Sequence, residues 1–254
     1  LAIFSWRTGD RRSTLLAVHE KRERLKALIC ISIKKEDKRN IVEIVVIPVT
    51  PFAQNCSLIW DPDSMKGAFV DPGGNVDKLI KAANDNHVDI DKIILTHGHL
   101  DHVGGTVEIA SHFNVPIIGP HKGDKFWLDA LMQQSQMFGF PPASPFEPTQ
   151  WLNDNDTISV GGLTLNVLHC PGHTPGHVAL VERTSNKVIV GDIIFAGSIG
   201  RTDFPQGDQQ QLISSIKQKI LTLPDLMTIY PGHGPTTTIA TERATNPYVS
   251  GPYG

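Results

Sequence analysis

Four side chains able to coordinate a metal ion, His97, His99, Asp101 and His102, fall within six consecutive positions of the stretch T-H-G-H-L-D-H at 96–102. Imidazole nitrogen and carboxylate oxygen are donors that zinc, iron and manganese accept, and no thiolate interrupts the set. Ile93, Ile94 and Leu95 read as a buried strand leading into it. Residues at i and i+2 of an extended chain project to the same side, so His97 and His99 can reach one cation. Asp101 and His102 lie where a helix would begin; their side chains turn another way and could serve a second cation beside the first. Gly98 leaves the turn free to form. Three imidazoles crowded against a carboxylate are unfavourable unless a cation sits among them.

One such cluster cannot complete two coordination spheres. Further candidates stand next to glycine near the ends of other apolar runs: His173 in HCPGHTPGH, Asp192 in VIVGDIIF and His233 in IYPGHGPTT. Glycine suits a close approach of backbone to an ion. Asp192 reads as lying inside an apolar strand, between Ile189–Val190 and Ile193–Ile194, where a carboxylate is costly unless paired; a dinuclear centre would engage both its oxygens. Other polar residues take plainer roles. His177 is expected to be a hydrogen-bond partner behind the metal residues, and Asp71 in DPGG to satisfy loop amides. Phe126, Trp127 and Phe138, at helical spacing, are expected in the core rather than in a pocket wall. Cys170 neighbours P-G-H without any sign of an activated thiol.

The elements that must position these residues follow from hydrophobic periodicity. Short β-branched runs at 41–50, 55–60, 67–74, 92–97, 116–120, 163–170, 177–182, 187–195 and 227–233 predict strands, and 76–85, 103–113, 123–134 and 208–221 predict helices. The last helix is the clearest, with Leu212, Ile213, Ile216 and Ile220 on one stripe, Asp208 and Gln211 set as a capping box, and Pro224 beyond its end. Strands in hairpin-like succession with helices at intervals imply two sheets sandwiched between helices, an α/β class of fold.

Composition narrows the function. Of 254 residues, 40% are hydrophobic and 19% charged, an ordinary globular mix, and no run of 18 apolar residues predicts a membrane span. Cys30, Cys56 and Cys170 are odd in number, widely spaced and not in C-x-x-C pairs, which argues against a disulfide framework and a zinc finger and points to a reducing setting, the cytoplasm or an organelle matrix. Residues 1–40 hold 11 Lys/Arg against 5 Asp/Glu, a net of +6, whereas 41–254 hold 12 against 21, a net of −9. The first segment is expected to be a basic extension, disordered or outside the fold, and 41–254 to be the working domain. Its negative charge, without a basic stretch interleaved with aromatics, excludes a nucleic-acid partner.

The combination of T-H-G-H-L-D-H at 96–102, P-G-H at 171–173, G-D at 191–192 and P-G-H-G at 231–234 resembles the metallo-β-lactamase superfamily over residues 43–249. The resemblance implies a four-layer αββα sandwich with the site at the sheet edges. It implies that His97, His99 and His173 hold one divalent ion, that Asp101, His102 and His233 hold another, and that Asp192 bridges them. The ions would be zinc, with iron or manganese as alternatives, and a hydroxide would lie between them. Asp101 and Asp192 would be the carboxylates at the reacting centre. The stretches PVTPFAQNCSLIW, HCPGHTPGHV, GRTDFPQGD and YPGHGPTT are similar to the short bacterial type of glyoxalase II, hydroxyacylglutathione hydrolase. That similarity implies hydrolysis of S-lactoylglutathione to lactate and glutathione. Only 21 residues follow His233, so the C-terminal helical domain of the longer type is not expected, and recognition of glutathione would fall to nearby loops, with Arg201 of GRTDF either a partner for a glutathione carboxylate or held in a structural salt bridge. The same GRTDFPQG segment also resembles persulfide dioxygenases of the superfamily. Those would use His97, His173 and Asp192 to hold a single iron.

Overall fold

The computed structural model describes Lys21 and residues 41–251; apart from Lys21, the expectation for residues 1–40 lies outside the described residues. Glu43–Val49 (β1), Gln54–Trp60 (β2) and Lys66–Val70 (β3) pair antiparallel, and Asp89–Ile94 (β4) and Ile117–Ile118 (β5) extend the sheet in parallel. The order is β1-β2-β3-β4-β5. A parallel step needs a crossover, and the helices Val76–Asp85 and Thr106–Phe113 supply two of them.

A second sheet contains Thr157–Val160 (β6), Leu163–His169 (β7), Val178–Glu182 (β8) and Lys187–Gly191 (β9). Ile194–Phe195 (β10) and Ser198–Ile199 (β11) form a small separate ladder. Thr228–Pro231 (β12) and Thr237–Thr238 (β13) complete the order β13-β12-β9-β8-β7-β6. β9 pairs parallel with β12, and two antiparallel steps separate it from β7. β7, β9 and β12 therefore run in one direction and end at one edge.

The side chains of each strand divide between two cores, because successive residues face opposite sides of a sheet. In β2, Cys56, Leu58 and Trp60 pack with the helices outside the first sheet, while Ile59 points inward. In β8, Val178 and Leu180 point inward, while Ala179 and Val181 join Leu212, Ile216 and Ile220 outside the second sheet. The inward sets of both sheets merge into one middle cluster that includes Ile59, Val70, Ile94, Leu165 and Leu180. Three apolar seams thus hold four layers, helix, sheet, sheet, helix, as the αββα expectation has it. Burial on both faces is also why these strands read as near-continuous apolar runs rather than alternating ones.

Two departures from expectation bear on the site and the helix beside it. The helix predicted over 208–221 is an α-helix at Gln209–Ser215 that passes into a π-helical turn at Ile216–Ile220, capped at its start by the Asp208 carboxylate, which accepts from the Gln211 amide at 2.9 Å. Asp192 is not inside a strand. β9 ends at Gly191, whose φ of 48° turns the chain, and Asp192 follows in the turn before β10. A side chain with Cβ at Gly191 would lie 2.5 Å from Thr96 Oγ1, so both conformation and space require glycine there.

Candidate metal centre

Each of the seven candidate metal residues sits just past the carboxyl end of a strand. β4 delivers His97 and His99, and the short helix Leu100–Val103 turns Asp101 and His102 toward the same point. The loop after β7 carries His173, the turn after β9 carries Asp192, and the end of β12 carries His233. The structure brings all seven together. His99 Nδ1 lies 3.2 Å from His97 Nε2 and 3.0 Å from His173 Nε2. On the other side His233 Nε2 lies 3.2 Å from Asp101 Oδ2, and His102 Nε2 is 3.9 Å from the same carboxylate oxygen. Asp192 stands between the groups, with Oδ1 3.4 Å from His102 Nε2 and Oδ2 3.7 Å from His173 Nε2 and 3.6 Å from His233 Nε2.

Hydrogen bonds at the backs of the rings settle which nitrogens carry lone pairs. His173 Nδ1 donates to the Arg201 carbonyl at 2.7 Å, since a carbonyl can only accept. The Thr96 hydroxyl donates to Asp71 Oδ2 at 2.5 Å and so receives the proton of His97 Nδ1 at 3.1 Å. His102 Nδ1 donates to Asp71 Oδ2 at 2.9 Å. In the neutral rings the opposite nitrogens of His97, His102 and His173 are then bare and face inward. Burial, then the neighbouring imidazoles, hold His97 and His99 well below the usual histidine range, so both are neutral. Burial likewise lowers His173, against the pull of Asp192.

The second group shows the complementary field. Burial alone would lower His102, but the carboxylates of Asp192 and Asp101 raise it well above its ordinary value. Asp192 is held far below the carboxylate range despite its burial, because His102, His173 and His233 face it. His102 Nε2 and Asp192 Oδ1 are buried without a hydrogen-bond partner among the described residues. A buried imidazole nitrogen and a buried carboxylate oxygen 3.4 Å apart call for positive charge between them, which a proton on His102 or a metal cation would supply. Two triads, His97–His99–His173 and Asp101–His102–His233, each offer three donor atoms within 4.8 Å of one another. A third grouping of Asp71, His97 and His102 meets the same distance, yet both oxygens of Asp71 are already occupied.

The supporting residues are as informative as the seven. Asp71 does accept a loop amide, Thr96 N at 2.7 Å, and in addition it orients His102 directly and His97 through Thr96. His177 belongs to neither triad: its Nε2 accepts from the Asp192 amide at 3.0 Å and its ring stacks on His97 at 4.5 Å. Asn55 pins the His233 turn through the carbonyls of Pro231 and Gly234. Gly232 is required because a Cβ there would sit 2.2 Å from Asp192 Oδ1. Asp124 has no signature in the sequence, because its partners lie 26 to 52 residues away. Its buried carboxylate accepts from Gly98 N at 2.8 Å, Thr174 Oγ1 at 2.7 Å and Gly176 N at 2.5 Å, tying the two histidine loops together.

A cavity of about 780 Å³ opens above the cluster, with His99, Asp101, His173, Asp192 and His233 in its lining. Phe126, Trp127 and Phe138 line it as well. Their expected core role holds in part: Trp127 is buried against His99, and Phe138 is 39% exposed. Arg201 also lines the cavity, but its guanidinium fork binds Asp203 at 2.7 and 2.5 Å and stands over the Phe204 ring. Burial pushes the Cys170 thiol up to about 12, which leaves it unreactive.

The sequence profile of the metallo-beta-lactamase superfamily matches residues 49–233. Hydroxyacylglutathione hydrolase GloC of Haemophilus influenzae is 44% identical over 210 residues, covering 82% of this chain and 99% of that protein. Among solved structures, the B3 metallo-beta-lactamase BLEG-1 superposes with a TM-score of 0.77 at 33% identity, covering 82% of this chain and all of that one. TTHA1623 in a di-iron-bound form superposes with a TM-score of 0.74 at 31% identity, covering 80% and 99%.

Proposed function

The chain belongs to the metallo-beta-lactamase superfamily, and from that premise we propose that it hydrolyses thioesters of glutathione, S-lactoylglutathione to lactate and glutathione among them. The observation that carries this reading is the convergence of inward-facing imidazole nitrogens with the carboxylates of Asp101 and Asp192, one Asp192 oxygen having no hydrogen-bond partner among the described residues, at the floor of a cavity. The relationship to GloC, which covers nearly all of that hydrolase, supplies the thioester. His97, His99 and His173 would hold one divalent cation, Asp101, His102 and His233 a second, and Asp192 would bridge them. Zinc, iron and manganese all accept this donor set. When bound, two such ions supply Lewis acidity, which lowers the pKa of water and polarises a carbonyl.

The chain's own residues do the rest. Asp71 and the Arg201 carbonyl fix the tautomers that keep donor nitrogens bare, and the apolar walls of the cavity exclude bulk water from the carbonyl. A thiol of pKa roughly 8.5 leaves as thiolate without a dedicated general acid, which fits a site whose histidines are committed elsewhere. Arg201 is proposed to take a glutathione carboxylate by exchanging it for Asp203 at the exposed rim. In this reading residues 41–254 are the hydrolase domain and 1–40 an extension outside it. Cys56 and Cys170, both free and buried, suit a cytoplasmic setting.

The test is a metal count paired with activity. Purified protein is expected to contain about two metal ions per chain and to hydrolyse S-lactoylglutathione. One iron per chain with oxygen consumption on glutathione persulfide would instead assign the chain to dioxygenase chemistry.

A further inference from the structure

Above its polar floor the cavity is walled mainly by apolar side chains, with Gln133, Gln134 and Ser198 interspersed. Trp127 and Phe204 meet His99 edge-on at 4.5 and 5.1 Å, which places aromatic rings directly against the candidate metal centre. Farther out, Phe52 contacts Phe138 at 6.0 Å and Phe140 at 5.1 Å. Phe52 is 49% exposed and the neighbouring Met137 is 76% exposed. Large apolar side chains gathered at a cavity mouth, left in contact with water, mark a surface that gains by being covered. The lining offers little to a charged ligand: among the described residues Arg201 is its one Lys or Arg, sits at the rim, and is held by Asp203. A lactoyl group is small and carries a hydroxyl, so it would leave most of this space unfilled and its hydroxyl beside aromatic rings.

We propose that the cavity holds the acyl group, that the thioesters turned over best are those of medium-chain or aryl acids, and that the charged ends of the thiol stay at the rim by Arg201. The inference rests on the thioesterase reading above and specifies its substrate. Geometry sets the orientation. The polar floor, with Asp101, Asp192 and His233, is where a thioester carbonyl must lie, so the bulk on the acyl side of that carbonyl extends along the walls of Trp127, Phe138 and Phe204. Glutathione brings two carboxylates and an ammonium, for which the walls offer only the neutral Gln133, Gln134 and Ser198 and no counter-charge away from the polar floor and Arg201; burying those charges there unpaired is strongly unfavourable.

The experiment is a substrate series on metal-loaded protein: acetyl-, lactoyl-, butanoyl-, hexanoyl- and phenylacetyl-glutathione. We expect kcat/KM to rise about threefold to fourfold per added methylene up to hexanoyl, with phenylacetyl above lactoyl. Calorimetric titration is expected to show S-hexylglutathione binding at least about tenfold more tightly than S-methylglutathione. Phe138→Ser and Trp127→Ala should each lower kcat/KM for the hexanoyl ester at least fivefold more than for the acetyl ester; Phe138, at the surface, keeps the comparison free of misfolding. A flat or falling series, with lactoyl at least as good as hexanoyl, overturns the inference and leaves the thioesterase reading standing. No hydrolysis across the whole series by metal-loaded protein overturns both. A flat series in a protein that sediments as a dimer, made monomeric by Phe138→Ser, assigns the aromatic rim to a second copy of the chain and likewise overturns the inference.

Discussion

At the scale of the residue, one buried carboxylate can be essential for chemistry and another only for placement, and the two are separable by measurement. Asp192 touches three of the candidate metal histidines and has an oxygen with no protein partner. Asp192→Ala is expected to lose both metal ions and most turnover; a variant with full metal content and full rate would reject its bridging position. Asp71 touches the same site only from behind, through His102 Nδ1 and Thr96. Asp71→Asn keeps the shape but places an amide donor against groups that also donate, and metal affinity is expected to fall about 10- to 100-fold. Retention of wild-type affinity in a competition titration with a chelator would remove Asp71 from that role. The seven residues were legible in the chain because metal chemistry demands particular donors beside glycine. Asp71 was visible only as a turn residue: nothing in DPGG announces that a threonine and a histidine 25 and 31 positions later will point at it. For Arg201 a structural salt bridge was the alternative to a glutathione carboxylate, and the bidentate pairing with Asp203 is such a bridge; only the partner, two residues on, was not legible, since a charged pair in a loop has no periodicity to betray it.

At the scale of the element, strands were read well where both of their faces are buried, because the apolar run is then nearly unbroken, as in HVALVE and KVIVG. They were missed where one face is wet or the strand is very short. β6, Thr157–Val160, alternates exposed and buried positions within a polar stretch, and β11 and β13 are two residues long. The helix Ile239–Thr245 escaped as well, since its buried face is only Ile239 and Glu242. The assignment of Asp192 to a strand failed for a backbone reason: apolar residues on both sides of V-G-D-I belong to different strands, and Gly191 turns between them. Loops that carry the site are held by Asp124, and its titration offers a test. Burial pushes the Asp124 carboxyl up to about 7, against the pull of three donors. A raised folded-state value means that the native protein holds this proton more tightly than the unfolded chain, so the stabilisation is complete below about pH 4 and is lost as pH rises to about 7. Asp124→Asn removes the titration. In urea unfolding across this range, the stability of the wild type minus that of the variant should therefore decline toward pH 7. A difference that stays constant from pH 4 to 8 would show that the three donors keep the carboxylate ionised throughout.

At the scale of the whole molecule, three apolar seams make four layers, and that arrangement could be anticipated from helices placed intermittently among strands. The packing of one sheet on the other brings their carboxyl edges together, and there the candidate residues divide unevenly. His97, His99, Asp101 and His102 come from the first half of the chain, and His173, Asp192 and His233 from the second. Neither triad is complete within one half, since each draws two members from the first and one from the second. The halves are joined by an irregular stretch over 139–150 whose residues include several exposed positions. A chain severed there would yield a complementation pair whose pieces recognise one another partly through shared ions. Co-expressed fragments are expected to reassemble into active enzyme with divalent metal and to separate on chelation; association that is indifferent to chelator would mean that the middle seam alone glues the pieces.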